Sequence, residues 1–316
     1  MFDLQSIIRK NILNLTPYSS ARDEYQGKSG IFLDANENSL GSPVEGNHNR
    51  YPDPYQLQLK KKLSGVKGLL PENILLGNGS DEAIDLLYRC FCEPQKDNVI
   101  ICPPTYGMYE VLANINNVEV RNINLTPETF QLNTSAILNA IDEHTRLFFV
   151  CCPNNPTGNG VKWNDIKLIL EKINGIVVVD EAYINFASYK SLIPELLNYP
   201  NLVILQTLSK AWGLAALRVG MAFASADIIH VMNKVKAPYN INEMSQQIAM
   251  KALDELPQVN EWIKEIVSER KLLAEELKKF SFVLKVFSSE ANFLLIKTTS
   301  PKEIYDHLSK NGIVIR

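Results

Sequence analysis

Short apolar runs punctuate the middle of the chain at 99–102, 147–151, 176–179, 202–205 and 219–224. Each is continuous rather than alternating, which predicts strands buried on both faces. Between them, 81–91, 106–115, 163–173 and 227–235 carry apolar residues at helical spacing. Strands that alternate with helices predict a largely parallel sheet covered on both sides, an α/β architecture. In such sheets ligands gather at the carboxyl ends of the strands. Polar motifs that directly follow an apolar run therefore carry the most information.

Past residue 240 the pattern changes. Residues 257–280 read as one long amphipathic helix with Lys and Glu on its outer face. Strands at 282–287 and 292–296, a helix at 301–310 and the start of a strand at 312–315 follow. The expected division is a large α/β domain over 30–240. A smaller α+β domain takes 1–29, as an N-terminal arm that packs on it or reaches across the large domain, together with 241–316. The sequence stops at Arg316 inside what reads as a strand, so a further C-terminal segment is expected to be absent from it.

Composition narrows the classes. A chain of 316 residues, 46% hydrophobic and 21% charged, can build one large core and a smaller one. A net charge of -3 argues against a nucleic-acid partner, which requires a basic face. Residues 1–14 have no signal-peptide core, and no apolar run reaches membrane-spanning length. A cytoplasmic protein is expected. Cysteines at 90, 92, 102, 151 and 152 are odd in number and give neither a disulfide framework nor a zinc spacing, so reduced core thiols are expected.

Four polar motifs follow apolar runs. T-L-S-K-A-W-G-L-A-A-L-R-V-G at 207–220 places Lys210 just past a buried strand. A lysine there is costly if desolvated, and desolvation would favour the neutral amine that forms a Schiff base. A lysine that snorkels to water is the plain alternative. G-N-G-S-D-E at 77–82 opens a helix with glycines and Ser80, either as an anion site or as an ordinary N-cap. It is neither a dinucleotide fingerprint nor a Walker A loop. C-C-P-N-N-P-T-G at 151–158 presents Asn155 from a rigid turn. D-E-A-Y at 180–183 puts Asp180 directly after a buried strand, where it needs a partner. Glu181 reads as a solvated or helix-capping acid.

Together, G-N-G-S-D-E, P-T-Y, N-N-P-T-G, D-E-A-Y, T-L-S-K and L-R-V-G, in that order, resemble the fold-type I aminotransferases, which use pyridoxal phosphate. L-T-P-Y at 15–18, L-D-A-N-E-N at 33–38 and R-Y-P-D-P at 50–54 narrow the resemblance to the histidinol-phosphate aminotransferase family. The resemblance implies that Lys210 binds the cofactor aldehyde and later moves the substrate Cα proton. It implies that Asp180 pairs with the pyridinium nitrogen and keeps it protonated. Asn155 and Tyr183 would bond the phenolic oxygen, and Tyr106 would stack on the ring. The backbone of Ser80, Asp81 and Glu82, with Ser209 and Arg218, would hold the phosphate. Tyr51 resembles the tyrosine that reaches the phosphate of a neighbouring subunit, which implies a homodimer with shared sites. Tyr18, Asn36 and Arg316 match substrate-contacting positions. The family's second arginine would lie beyond Arg316. Ser39 and Ala216 stand where the family usually has proline and glycine.

The implied reaction is amino transfer between L-histidinol phosphate and 2-oxoglutarate, yielding imidazole-acetol phosphate and L-glutamate. A threonine-phosphate decarboxylase or an aromatic-amino-acid aminotransferase on the same fold is the competing expectation. A cofactor-binding regulator would carry an added DNA-binding domain, which this short N-terminus cannot supply.

Overall fold

The computed structural model describes residues 2–18 and 31–316. Its centre is a seven-stranded sheet in the order β1-β7-β6-β5-β4-β2-β3. The strands are β1 (Ile74–Asn78), β2 (Asn98–Ile101), β3 (Glu119–Asn122), β4 (Thr145–Cys151), β5 (Ile176–Asp180), β6 (Leu202–Thr207) and β7 (Val219–Phe223). Pairings among β3, β2, β4, β5 and β6 are parallel, whereas β7 runs antiparallel to both β6 and β1. The mostly parallel expectation therefore holds, with one reversed strand.

The continuous apolar runs have the reason that was expected. Leu147, Phe149, Ile176, Val178, Val203 and Leu205 enter the core on one face of the sheet. Phe148, Val150, Val177, Val179, Leu202 and Ile204 enter the core on the other. Successive side chains point to opposite faces, so a strand covered on both sides must be apolar throughout. Each such side chain contributes about 1.5–3 kcal/mol on burial. β3, at one edge of the sheet, is different: it reads E-V-R-N and has no fully buried residue. It carries no apolar run for that reason.

The helix Ser80–Phe91 buries Ala83, Ile84, Leu86, Leu87, Cys90 and Phe91 against the sheet, with Asp81 and Glu82 in its first turn and Arg89 in its last. That charge order suits the helix dipole. All five cysteines are free and buried.

The structure refines several of these expectations. Residues of the N-terminal segment, Ile7, Ile8 and Ile12, belong to a core of the large sheet, beside Leu87, Ile228 and Met232. Arg9 Nε bonds Glu93 at 3.4 Å, and the Arg9 N–H donates to the Cys90 carbonyl. Apolar spacing at 7, 8 and 12 docks this arm on the large domain, the second of its two expected placements. Residues 19–29 of the expected arm lie outside the described residues. Next, the helix Glu243–Asp254 buries Ala249 and Leu253 in the large-sheet core with Leu59 and Leu63. The helix Leu256–Leu277 also sends Val259 into that core, and leads to the antiparallel pair β8 (Val283–Val286) and β9 (Ile296–Thr298), the latter starting where the expected strand 292–296 ends, and to the helix Pro301–Lys310. Finally, residues 313–316 form no strand and are exposed. Among the described residues, no helix is long and apolar enough to cross a membrane.

Candidate active site

The register brings the ends of the strands to one edge. Cys151 lies opposite Asp180, Asp180 opposite Leu205, Thr207 opposite Gly220 and Asn78 opposite Val219. Because β7 is reversed, Arg218, which precedes it, reaches the same edge as residues that follow β1, β5 and β6.

The anion end is built from β1, its turn and the helix behind it. Gly79 is the N-cap with φ +76 and supplies no side-chain cap to the helix Ser80–Phe91. The first-turn N–H groups of Ser80, Asp81 and Glu82 point outward without a capping side chain, which leaves them open to an external acceptor. A Cβ at Gly79 would collide with the Arg218 guanidinium, and one at Gly220 would collide with the backbone of Gly79 and Ser80. The Gly79 N–H donates to the Arg218 carbonyl at 2.7 Å. Arg218 itself sits in the left-handed region, φ 54, and its Nη2 lies 3.4 Å from Asp81 Oδ2. Ser209 completes this end: its N–H and hydroxyl both bond Thr207 Oγ1, at 3.1 and 3.0 Å.

The centre of the site is Asp180. It is buried, and its carboxylate accepts from the Tyr109 hydroxyl at 2.7 Å and from the Ala182 N–H at 3.0 Å. Burial raises its pKa; the two hydrogen bonds and the charge of Lys210 oppose that rise. Tyr109 is itself fully buried, stacked on Phe149 at 4.8 Å and edge-on to Tyr106 at 5.5 Å. Sequence reasoning missed Tyr109. Its signal is the spacing from Tyr106, three residues along and one turn apart.

Asn155 Nδ2 donates to the Tyr183 hydroxyl at 3.3 Å. Burial, with Cys151 and Asp180 nearby, pushes the Tyr183 phenol up to about 12. The structure separates the two asparagines of N-N-P-T-G. Asn154 is buried and ties the turn together through Thr105, Pro104 and Thr157, leaving Asn155 to face the site. Tyr106 donates to Asp81 Oδ1 at 3.0 Å, joining the ring-facing side to the anion end.

Lys210 Nζ lies 5.4 Å from the Tyr183 ring centroid. The residue is exposed in the loop that follows β6, as the snorkelling alternative has it. Glu181 corrects the expectation of a solvated acid. It is buried and accepts from Ser191 Oγ, Leu192 N–H and Gln206 Nε2 at 2.5, 2.7 and 2.8 Å. Burial raises its pKa against those bonds.

The expected substrate and partner positions are more scattered. Tyr18 is exposed in a small hollow with Pro54, Tyr55, Lys236 and Tyr239. Tyr51 stacks on Tyr239 with centroids 4.7 Å apart and is half exposed. Asn36 is exposed with φ 53. Arg316 is exposed yet near enough to Tyr183 for its charge to lower that phenol's pKa.

A mixed sheet with an anion cradle, a buried carboxylate and a lysine at one edge defines a transferase site of the aminotransferase kind. Residues 34–316 match the family of class I and II aminotransferases, and the chain belongs to that family. Among its curated relatives is the histidinol-phosphate aminotransferase of Cytophaga hutchinsonii, 52% identical over all of this chain and 90% of that protein. The enzyme of that name from Bacteroides thetaiotaomicron is 50% identical with the same coverage. The crystal structure of histidinol-phosphate aminotransferase from Clostridium acetobutylicum superposes with a TM-score of 0.77 at 30% identity, over 85% of this chain and 81% of that one. The same fold is seen in the Sinorhizobium meliloti enzyme in complex with pyridoxal-5'-phosphate, at TM-score 0.79 and 22% identity, over 89% of this chain and 81% of that one.

Proposed function

We propose that this chain is a pyridoxal-phosphate-dependent transaminase of histidine biosynthesis. It exchanges the amino group between L-histidinol phosphate and 2-oxoglutarate, giving imidazole-acetol phosphate and L-glutamate. The observation that carries the reading is the convergence of Lys210, Asp180 and Arg218 on one edge of the sheet, at the ends of three separate strands.

The residues present fit the cofactor. The first turn left open at Gly79, with Ser209 and the Arg218 fork, suits a phosphate dianion. A carboxylate buried with two donors and a raised pKa suits a protonated ring nitrogen, which would relieve its burial. When bound, pyridoxal phosphate supplies an aldehyde and an electron-accepting ring. Lys210 presents the amine for that aldehyde and holds or moves the proton at the substrate Cα. Asp180 keeps the ring nitrogen protonated, and Tyr109 and Ala182 keep Asp180 in place. Tyr183 and Asn155 bond the ring's phenolic oxygen, while Tyr106 flanks its face.

Tyr18, Asn36 and Arg316 contact the substrate, with Arg316 as an anion ligand. The active unit is a homodimer in which Tyr51 serves the phosphate of the neighbouring subunit. Its exposure beside Tyr239 supports that role. The enzyme works in the cytoplasm, where its five free thiols stay reduced.

Purified protein should absorb at the visible edge through a lysine-bound cofactor, and Lys210→Ala should abolish the lysine linkage behind that band. L-histidinol phosphate should then convert the cofactor to its amine form, and steady-state kinetics should give parallel lines. A spectral change with threonine phosphate or phenylalanine, and none with L-histidinol phosphate, would overturn the assignment.

A further inference from the structure

Glu82 sits in the first turn of the Ser80–Phe91 helix, where an acidic side chain would repel a phosphate if it faced one. Its carboxylate is instead committed to protein donors. Oε2 accepts from the Asn78 N–H and from Asn240 Nδ2, the latter at 2.9 Å. This is a capping arrangement made from inside the helix. It grips the turn before Gly79 and leaves the N–H groups after Gly79 unclaimed.

Asn240 is the hub of that arrangement. Its amide donates to the Leu76 carbonyl at 3.0 Å as well as to Glu82. Its oxygen accepts from Gln56 Nε2 at 3.2 Å and from Lys236 Nζ at 3.1 Å. All four hydrogen-bonding places of the side chain are filled. Lys236 is buried and spends its other donors on the carbonyls of Pro54 and Ala237, both at 3.1 Å. A carboxylate and an ammonium are thus joined through one amide beneath the anion cradle. Lys236 is buried and Glu82 half-buried, and holding them there costs more than an apolar brace would, so the geometry has to return something an apolar brace cannot. What the chain fixes is the position of Glu82, and with it the direction of the Ser80, Asp81 and Glu82 N–H groups.

We infer that Asn240, held by Lys236 and Gln56, is a positioning residue for the cofactor phosphate, acting through Glu82 on the first turn of the Ser80–Phe91 helix. The inference rests on the cofactor reading above. It separates recognition of the phosphate from recognition of the ring: breaking the chain loosens the phosphate end and leaves Asp180, Asn155 and Tyr183 as they are.

The test compares pyridoxal phosphate with pyridoxal, which has the aldehyde and ring but no phosphate. Equilibrium affinities are measured spectroscopically on the full cofactor-free chain, with thermal unfolding as the check on folding. Asn240→Leu and Lys236→Met should each weaken pyridoxal phosphate about tenfold, the worth of one well-placed bond. Pyridoxal should change by less than about twofold. Lys60→Met is the control: Lys60 is buried close enough to Lys236 to feel its charge, but it takes none of the four bonds to Asn240. It should leave both affinities unchanged.

Equal weakening of the two aldehydes, or no weakening in either variant, overturns the inference. A selective loss in Lys60→Met overturns the route through Asn240. If Asn240→Leu does not fold, Asn240→Ser carries the same expectation. A wild-type chain that binds neither aldehyde sinks the proposed function and this inference with it. A wild-type chain that binds both, with variants that keep the ratio, sinks this inference alone.

Discussion

Removing one oxygen from the core, Tyr109→Phe, tests how the buried carboxylate is controlled. The ring keeps its stack on Phe149 and its edge contact with Tyr106, so packing is conserved. What is lost is the 2.7 Å bond to Asp180 Oδ2. A hydrogen bond to a charged group contributes about 1.5–3 kcal/mol, which is about one to two pKa units. Asp180 is already raised by burial, and without Tyr109 it rises further. A more basic carboxylate takes a larger share of the proton it is meant to leave on the ring nitrogen. Single-turnover conversion by L-histidinol phosphate, followed by absorbance, should slow roughly ten- to a hundredfold.

The decisive arm is the double mutant. If Tyr109 acts through Asp180, then adding Tyr109→Phe to Asp180→Asn should cost less than about twofold. Costs that multiply would refute the reasoning. Stability offers a second check with a defined sign. A carboxylate raised on folding favours the fold below its unfolded pKa and loses that contribution as pH rises through its folded value. Tyr109→Phe should therefore destabilise the cofactor-free protein more on the alkaline side than on the acid side.

Other outcomes follow from the same geometry. Gly220→Ala should lower stability by about 3 kcal/mol or more and abolish cofactor binding, because its Cβ meets the Gly79 and Ser80 backbone and not a yielding side chain; thermal melts and absorbance read both. Arg218→Lys should weaken pyridoxal phosphate about tenfold, since an ammonium cannot reproduce the fork; titration against pyridoxal isolates the phosphate share. Glu181→Ala should destabilise by about 3 kcal/mol, as it strips the acceptor from Ser191, Leu192 and Gln206 together; urea unfolding measures it. Cys90, Cys102, Cys151 and Cys152 should resist alkylation until the chain unfolds. Burial pushes Cys90 and Cys102 up to about 12 and Cys152 up to about 11, and raises Cys151 well above its usual range.

The strands of the large sheet that were legible in the sequence are those covered on both faces, because they must be apolar at every position; β8 was legible without such cover. β3 escaped, since an edge strand reading E-V-R-N carries no such demand. The helix Leu57–Lys67 escaped too: its K-K-K run reads as solvated, yet Lys60 is buried within it. The site motifs were legible as residues that follow apolar runs. Their environments were not. Nothing local distinguishes Asp180 from Glu181, and whether either is buried depends on Tyr109 and Gln206, far away in the chain, and on Ser191 in the loop that follows. Lys210 shows the converse, since a buried strand before it says nothing of what covers the loop after it. Residues 312–315 have a strand-like composition but pair with no strand here, and composition alone does not make a strand.

The reversed strand β7 has a further consequence. Gly220 sits opposite Gly77 on one side and Thr207 on the other, so the anion cradle closes only when β1, β6 and β7 have all met. Residues 77 and 220 are distant in sequence, and contacts of that separation form late in folding. Cofactor capture then reports on the completed sheet rather than on any local piece of it. A refolding chain should gain most of its helical signal before it gains the visible band. Free pyridoxal phosphate should slow unfolding more than it speeds refolding, because it holds together the pairing that forms last.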